Sequence, residues 1–135
     1  MTIKEVCERF DLTADTLRYY ERAGAIPQVS RTAGGQRFYA EEDLEWVHNA
    51  VCMRNAGMSV EAIAEYVRLY RLGDDTLAER RELLCRERER LRARMNELEG
   101  ALRLLDYKIS RYEAALETGV LSWDELPSCL NGGTE

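Results

Sequence analysis

The stretch TLRYYERAGAI, residues 16–26, decides how this chain is read. Two arginines and two tyrosines fall within Arg18–Arg22, followed closely by Gly24. Thr13 stands where a helix N-cap would accept a backbone N–H, and Gly24 where a helix ends in a left-handed residue. The segment between them, ADTLRYYERA, is therefore expected to be a short helix over Ala14–Arg22. Upstream, Thr2 and Glu5 have capping-box spacing. Ile3, Val6, Cys7 and Phe10 then fall on one helical face, which predicts a first helix over about residues 3–9. Only the link FDL separates the two, and two short helices joined so tightly form a helix-turn-helix.

Downstream, Pro27 ends any helix. Val29 and the run Arg37-Phe38-Tyr39 are expected to be two short strands, with Ser30 to Gln36 and its Gly34-Gly35 pair as the loop of a small hairpin, a wing. Glu41, Glu42 and Asp43 suit the first turn of a third helix, where the dipole favours acids. Leu44, Val47 and Val51 make its inner face, and Gly57 ends it. Ser59 caps a fourth helix whose Val60, Ile63, Ala64 and Val67 face inward. Gly73-Asp74-Asp75 then breaks the chain.

From Thr76 the pattern changes. Leu77, Leu84, Leu91, Leu98 and Leu105 recur every seven residues, and Tyr112 keeps the register. Met95, Leu102 and Ile109 fill the position four later, while Arg81 and Arg88 thin the seam in its first half. Gly100 is the only helix breaker before Gly119, so the helix is expected to run roughly 60 Å at 1.5 Å per residue. A small N-terminal domain cannot bury such a stripe, which points to a dimerising coiled coil; the alternative is a helix folded back on its own domain. The segment LSWDELPSCL is expected to form a short helical turn that packs Trp123 and Leu126 back on the body. The fold class is thus mostly all-α: a winged helix-turn-helix over 1–70, a linker over 71–75, a coiled coil over 76–118 and a tail over 119–135.

The net charge of −6 is uneven. Residues 1–40 carry six Lys/Arg against five Asp/Glu, residues 41–75 three against eight, and residues 76–135 ten against twelve. Any basic footprint is therefore small and N-terminal. No apolar run approaches the roughly 18 residues of a membrane helix. The N-terminus MTIKEVCERF is charged from Lys4 and lacks a signal-peptide core, so a cytoplasmic location is expected. Cys7, Cys52, Cys85 and Cys129 form no CxxC pair, which disfavours a zinc finger, and disulfides are not expected in a reducing compartment. One histidine, no nucleophile motif and no phosphate loop leave little for an enzyme, and no cofactor is expected.

TLRYYERAGAI, a loop arginine, GGQRFYAEEDL and MRNAGMSVEAI, followed by a heptad helix, closely resemble the MerR family of bacterial transcription regulators. The resemblance covers residues 2 to about 70. It implies a homodimer on double-stranded DNA, bound to a near-palindromic operator inside an overlong promoter spacer. It also implies that effector binding bends and undertwists the DNA and so realigns the promoter for RNA polymerase. In such a complex the helix Ala14–Arg22 enters the major groove by its N-terminal end, where Thr16 and Arg18 reach base edges or phosphates and Thr13 completes the set. Tyr19 and Tyr20 would donate hydroxyls to phosphate. Arg31, Gln36, Arg37 and Tyr39 of the wing would meet the flanking backbone, Gly35 would permit close approach, and Arg54 would add a phosphate contact. The alternative for the tyrosines is a place in the core.

Metal-sensing members carry a cysteine pair after the long helix, whereas here that stretch has only Cys129. Cys85 of one subunit with Cys129 of the other is the remaining metal arrangement. The segment CMRNAGMS instead resembles the branch that senses aldehydes and other electrophiles through a single cysteine, which makes Cys52 the implied sensor. Cys52 lies off the Leu44–Val47–Val51 stripe, and His48 sits one turn earlier, placed to share a proton with it. The alternative for Cys52 is a small buried hydrophobe. Two rival functions stay open: a regulator that senses a small molecule or metal at the dimer junction, and a signal-independent architectural DNA bender.

Overall fold

The computed structural model describes residues 1–123. The chain forms two compact units, Met1–Glu87 and Arg88–Glu135. In the first, α1 (Ile3–Phe10) and α2 (Ala14–Ala23) are followed by strands β1 (Ser30–Arg31) and β2 (Arg37–Phe38), then α3 (Glu41–Asn55) and α4 (Val60–Arg71). A 3-10 turn at Asp74–Thr76 leads into α5 (Leu77–Thr118).

The local signals act as the sequence predicts. Thr2 Oγ1 accepts from the Glu5 N–H at 3.2 Å, and the Glu5 carboxylate accepts from the Thr2 N–H at 2.9 Å. The bond from the Thr2 N–H, with the Thr2 hydroxyl also beside the carboxylate, holds the Glu5 carboxyl below its usual value. Thr13 Oγ1 caps α2 through the Thr16 N–H at 3.1 Å, and Ser59 Oγ caps α4 through the Ala62 N–H at 3.0 Å. Gly24 closes α2 with φ +88°, and a Cβ there would stand 3.6 Å from that of Ala64. The backbone angle, more than the space, is what asks for glycine at this position.

The wing is antiparallel, with Ser30 opposite Phe38 and Arg31 opposite Arg37. The N-terminal residues join it: Thr2 bridges Phe38, and the Tyr39 N–H donates to the Met1 carbonyl at 2.7 Å. The wing base is thus tied to the start of α1.

Val6, Leu17, Tyr20, Ile26, Val29, Tyr39, Leu44, Val47, Ile63 and Val67 form one buried core. The inner face of α3 uses Ala50 where the apolar stripe predicts Val51, which is half-buried. Met58, in the turn after Gly57, is also buried.

The first unit runs past residue 70 and takes in the opening turns of α5. Thr76 is buried and its hydroxyl donates to the Leu69 carbonyl at 2.6 Å. Leu83 is 3% exposed, whereas its heptad neighbour Leu84 is 40% exposed. Arg80 donates to the Gly73 carbonyl and the Thr76 hydroxyl, both at 3.1 Å, and lies 5.0 Å from the centre of the Tyr70 ring. Tyr70 meets Trp46 of α3 edge-on at 5.2 Å. This chain of contacts clamps the root of α5 to α3 and α4.

In the second unit the heptad positions are open. Leu91, Met95, Leu98, Leu102, Leu105, Ile109 and Tyr112 are all exposed, and Leu116 extends the same stripe. Gly119 ends the helix at φ +83°. Trp123 then packs on Tyr112 and Tyr107 at ring separations of 5.8 and 6.3 Å. Leu126 and Cys129 of the expected tail lie outside the described residues. No helix among the described residues is long and apolar enough to cross a membrane.

Candidate nucleic-acid interface

The N-terminal end of α2 presents Thr13, Thr16, Arg18 and Tyr19. Thr13 and Thr16 share a hydroxyl–hydroxyl bond of 2.9 Å that orients both. Arg18 reaches back to Asp15 at 3.2 Å. Asp15 is almost fully exposed, so the pair is loosely held and Arg18 can exchange it for a phosphate or a base edge. Tyr19 is 41% exposed, with the Arg22 guanidinium 5.8 Å from its ring centre. This end of the helix combines two hydroxyl donors, one cation and one amphipathic ring.

The wing tip is fully presented to solvent. The Gly35 N–H donates to the Thr32 carbonyl at 2.9 Å, with Gly35 at φ +83°. Arg31 donates to the Gly35 carbonyl at 3.1 Å, which folds its guanidinium over the turn beside Gln36. Arg31, Gly35 and Gln36 are exposed as the sequence predicts.

Four members of the expected contact set have other roles. Tyr20 is 6% and Tyr39 1% exposed, so both rings belong to the core, and the Tyr39 hydroxyl is buried with its ring. The pattern RYYE cannot distinguish the two tyrosines by type. The helical turn does, because Tyr20 falls three residues after buried Leu17. The Tyr39 hydroxyl has no hydrogen-bond partner among the described residues, and burial pushes its phenol above the usual range. Arg37 donates through Nε to Glu21 Oε1 at 2.6 Å, and both side chains are largely covered. Its guanidinium therefore fixes the wing. Arg54 donates to the Met58 carbonyl at 2.7 Å, which stitches the α3–α4 turn while leaving the residue at the surface.

Glu21 is the functional residue that sequence reasoning misses. One carboxylate oxygen holds Arg37 of β2, and the other accepts from the Val29 N–H at 3.1 Å just before β1. A single side chain of the recognition helix thus grips β2 and the residue that leads into β1. The signal in the sequence is weak: one acid among the basic residues of RYYER.

On α3, Cys52 is exposed and its Sγ stands 3.5 Å from Nε2 of His48. The His48 ring meets Phe10 of α1 edge-on at 6.4 Å. Cys7 and Cys85 are half-buried. Among the described residues no group of His, Cys, Asp and Glu is arranged to hold a metal ion.

A helix-turn-helix whose recognition helix is bolted to a β-hairpin, with cations and hydroxyls at both tips, defines a winged DNA-binding protein. Residues 1–69 match the MerR HTH family of regulatory proteins and residues 44–107 the MerR, DNA binding family, so the chain belongs to the MerR family of transcription regulators. It is 52% identical over 91 residues to the HTH-type transcriptional regulator AdhR of Bacillus subtilis, a match that covers 67% of this chain and 65% of that protein. An HTH-type transcriptional regulator of Haemophilus influenzae is 32% identical over 126 residues, 93% of each chain. Among solved structures, a protein assigned to the MerR family from Listeria monocytogenes superposes with a TM-score of 0.81 at 42% identity, covering 88% of this chain and 90% of that one. HiNmlR, a MerR family regulator lacking the sensor domain and bound to promoter DNA, superposes with a TM-score of 0.75 at 33% identity, covering 87% of this chain and 94% of that one. The chain is a DNA-binding transcription regulator and not an enzyme.

Proposed function

We propose that the chain acts as a homodimer on a near-palindromic promoter operator and switches transcription by distorting that DNA for RNA polymerase, in response to an aldehyde or related electrophile that reacts with Cys52. The exposed apolar stripe from Leu91 to Leu116 supports the dimer, since an apolar surface of that length in water marks an interface. Leu77 and Leu84, also exposed, extend it toward the root of the helix. Thr13, Thr16, Arg18 and Tyr19 from α2 and Arg31, Gly35 and Gln36 from the wing form the DNA-facing set. Arg54 adds a cation beside them, and Arg37 holds the wing in place. The likeness to HiNmlR on promoter DNA supports the same mode of binding.

The observation that carries the signal is the Cys52–His48 pair. The thiol is exposed and has an imidazole nitrogen at 3.5 Å on the same helix face, so it can react without unfolding the core. A packing cysteine would be buried. The deciding experiment is transcription in vitro from the adjoining promoter, with and without formaldehyde or methylglyoxal. Wild type is expected to respond and Cys52→Ala to be silent. Induction that survives in Cys52→Ala would move the signal to a small molecule or metal at the dimer junction. An unregulated effect in both would favour an architectural DNA bender.

A further inference from the structure

Glu41, Glu45, His48 and Cys52 fall at positions i, i+4, i+7 and i+11 of α3 and share one face. Arg9 and Phe10, at the end of α1, stand across from the first three. Together with Leu44 they enclose an open recess of about 510 Å³. His48 lines that recess and Cys52 does not; the two are linked by the 3.5 Å approach of the Cys52 thiol to His48 Nε2. The Phe10 ring supports His48 edge-on, and the Arg9 guanidinium stands 5.7 Å from the Phe10 ring centre. The recess walls carry two carboxylates against one guanidinium, so an approaching molecule meets a net negative rim.

We propose that this recess is the docking site for the molecule that reacts with Cys52, and that it selects small uncharged electrophiles over anionic ones. The proposal rests on the reading of Cys52 as the sensor. Its size admits a compound of a few carbon atoms, Phe10 and Leu44 give that compound an apolar wall, and Arg9 gives a donor for a carbonyl oxygen. The chemistry balances without a further reagent. The Cys52 thiol passes its proton to His48, and sulfur bonds to the carbonyl carbon. The carbonyl π electrons move to oxygen, which takes the proton back from His48. The product is a hemithioacetal, formed with no change in oxidation state and no leaving group. Glu41 and Glu45 repel an aldehyde that carries its own carboxylate, and that repulsion weakens as salt screens the charges.

Iodoacetamide and iodoacetate test this directly, because they are alike in size and leaving group and differ in charge. Each alkylates the thiolate carbon-to-sulfur with loss of iodide. Their rates at Cys52 in the full-length protein are followed by peptide mapping and compared with those at N-acetylcysteinamide. At low salt the amide-to-acetate rate ratio at Cys52 is expected to exceed the reference ratio by about 3- to 10-fold. It is expected to fall toward the reference at about 1 M salt and in the double variant Glu41→Gln, Glu45→Gln. A ratio equal to the reference, or one unmoved by both salt and the double variant, overturns the proposal. The sensor role itself is judged separately by promoter induction in Cys52→Ala: loss of induction with no charge selectivity would sink the recess and keep the sensor.

Discussion

Glu21 and Arg37 lie 16 residues apart and meet at 2.6 Å, which locks the recognition helix to the wing. Both side chains are largely shielded from water, at 7% and 18% exposure. Removing one partner leaves the other charge poorly solvated and unpaired. Arg37→Ala is therefore expected to cost about 3 kcal/mol of stability and to weaken operator binding through a displaced wing. Urea unfolding and a binding titration check it. A variant with native stability and native affinity would show that the pair is dispensable.

Arg18 is the half-exposed cation toward the N-terminal end of α2. Arg18→Ala is expected to weaken operator binding by roughly 1–3 kcal/mol while leaving the fold intact. A binding isotherm unchanged within error would remove Arg18 from the interface.

Leu83 and Leu84 are adjacent in sequence and opposite in setting. Leu83→Ala opens a cavity where α5 meets the N-terminal body and is expected to cost about 2–4 kcal/mol in thermal or urea unfolding. Leu84→Ala is expected to cost well under that, because its side chain is already 40% exposed in the single chain. Equal losses would mean that Leu84 is as covered as Leu83 in the assembled protein.

The seam of α5 is tested by replacing Leu91 and Leu98 with alanine together. On the proposed seam, sedimentation is expected to find dimers of the wild type and monomers of this variant at the same concentration. A dimer that persists would place the interface elsewhere.

Tyr39 offers a test in the other direction. Its hydroxyl lacks a partner among the described residues, so Tyr39→Phe is expected to retain full operator affinity and equal or greater stability. Burial also raises the phenol above its ordinary value of 10.0, so the folded state resists its ionisation. Stability linked to Tyr39 is then intact below that pH and falls as pH rises beyond it. The alkaline fall is expected to be shallower in Tyr39→Phe. A large loss of affinity in this variant would return the hydroxyl to the DNA contact set.

The element order was legible in the sequence because its signals are local. The Thr2–Glu5 capping box, the caps at Thr13 and Ser59 and the stop at Gly24 each act within a few residues. The stripe from Leu91 to Tyr112 follows from a period of seven alone. Helical spacing set Cys52 off the apolar stripe of α3, but its exposure was settled by the structure. Tertiary structure decided what local pattern cannot express. It sent Tyr39 inward. It turned Arg37 from a free cation into half of a largely covered pair and gave Glu21 its hold on β2 and on the entry to β1. It buried Leu83 beside exposed Leu84, since the root of α5 turns a different face from the heptad stripe toward the N-terminal body. The physical reason is the same in each case: burial and ion pairing depend on which distant segments share a space, and type and spacing along the chain do not carry that information.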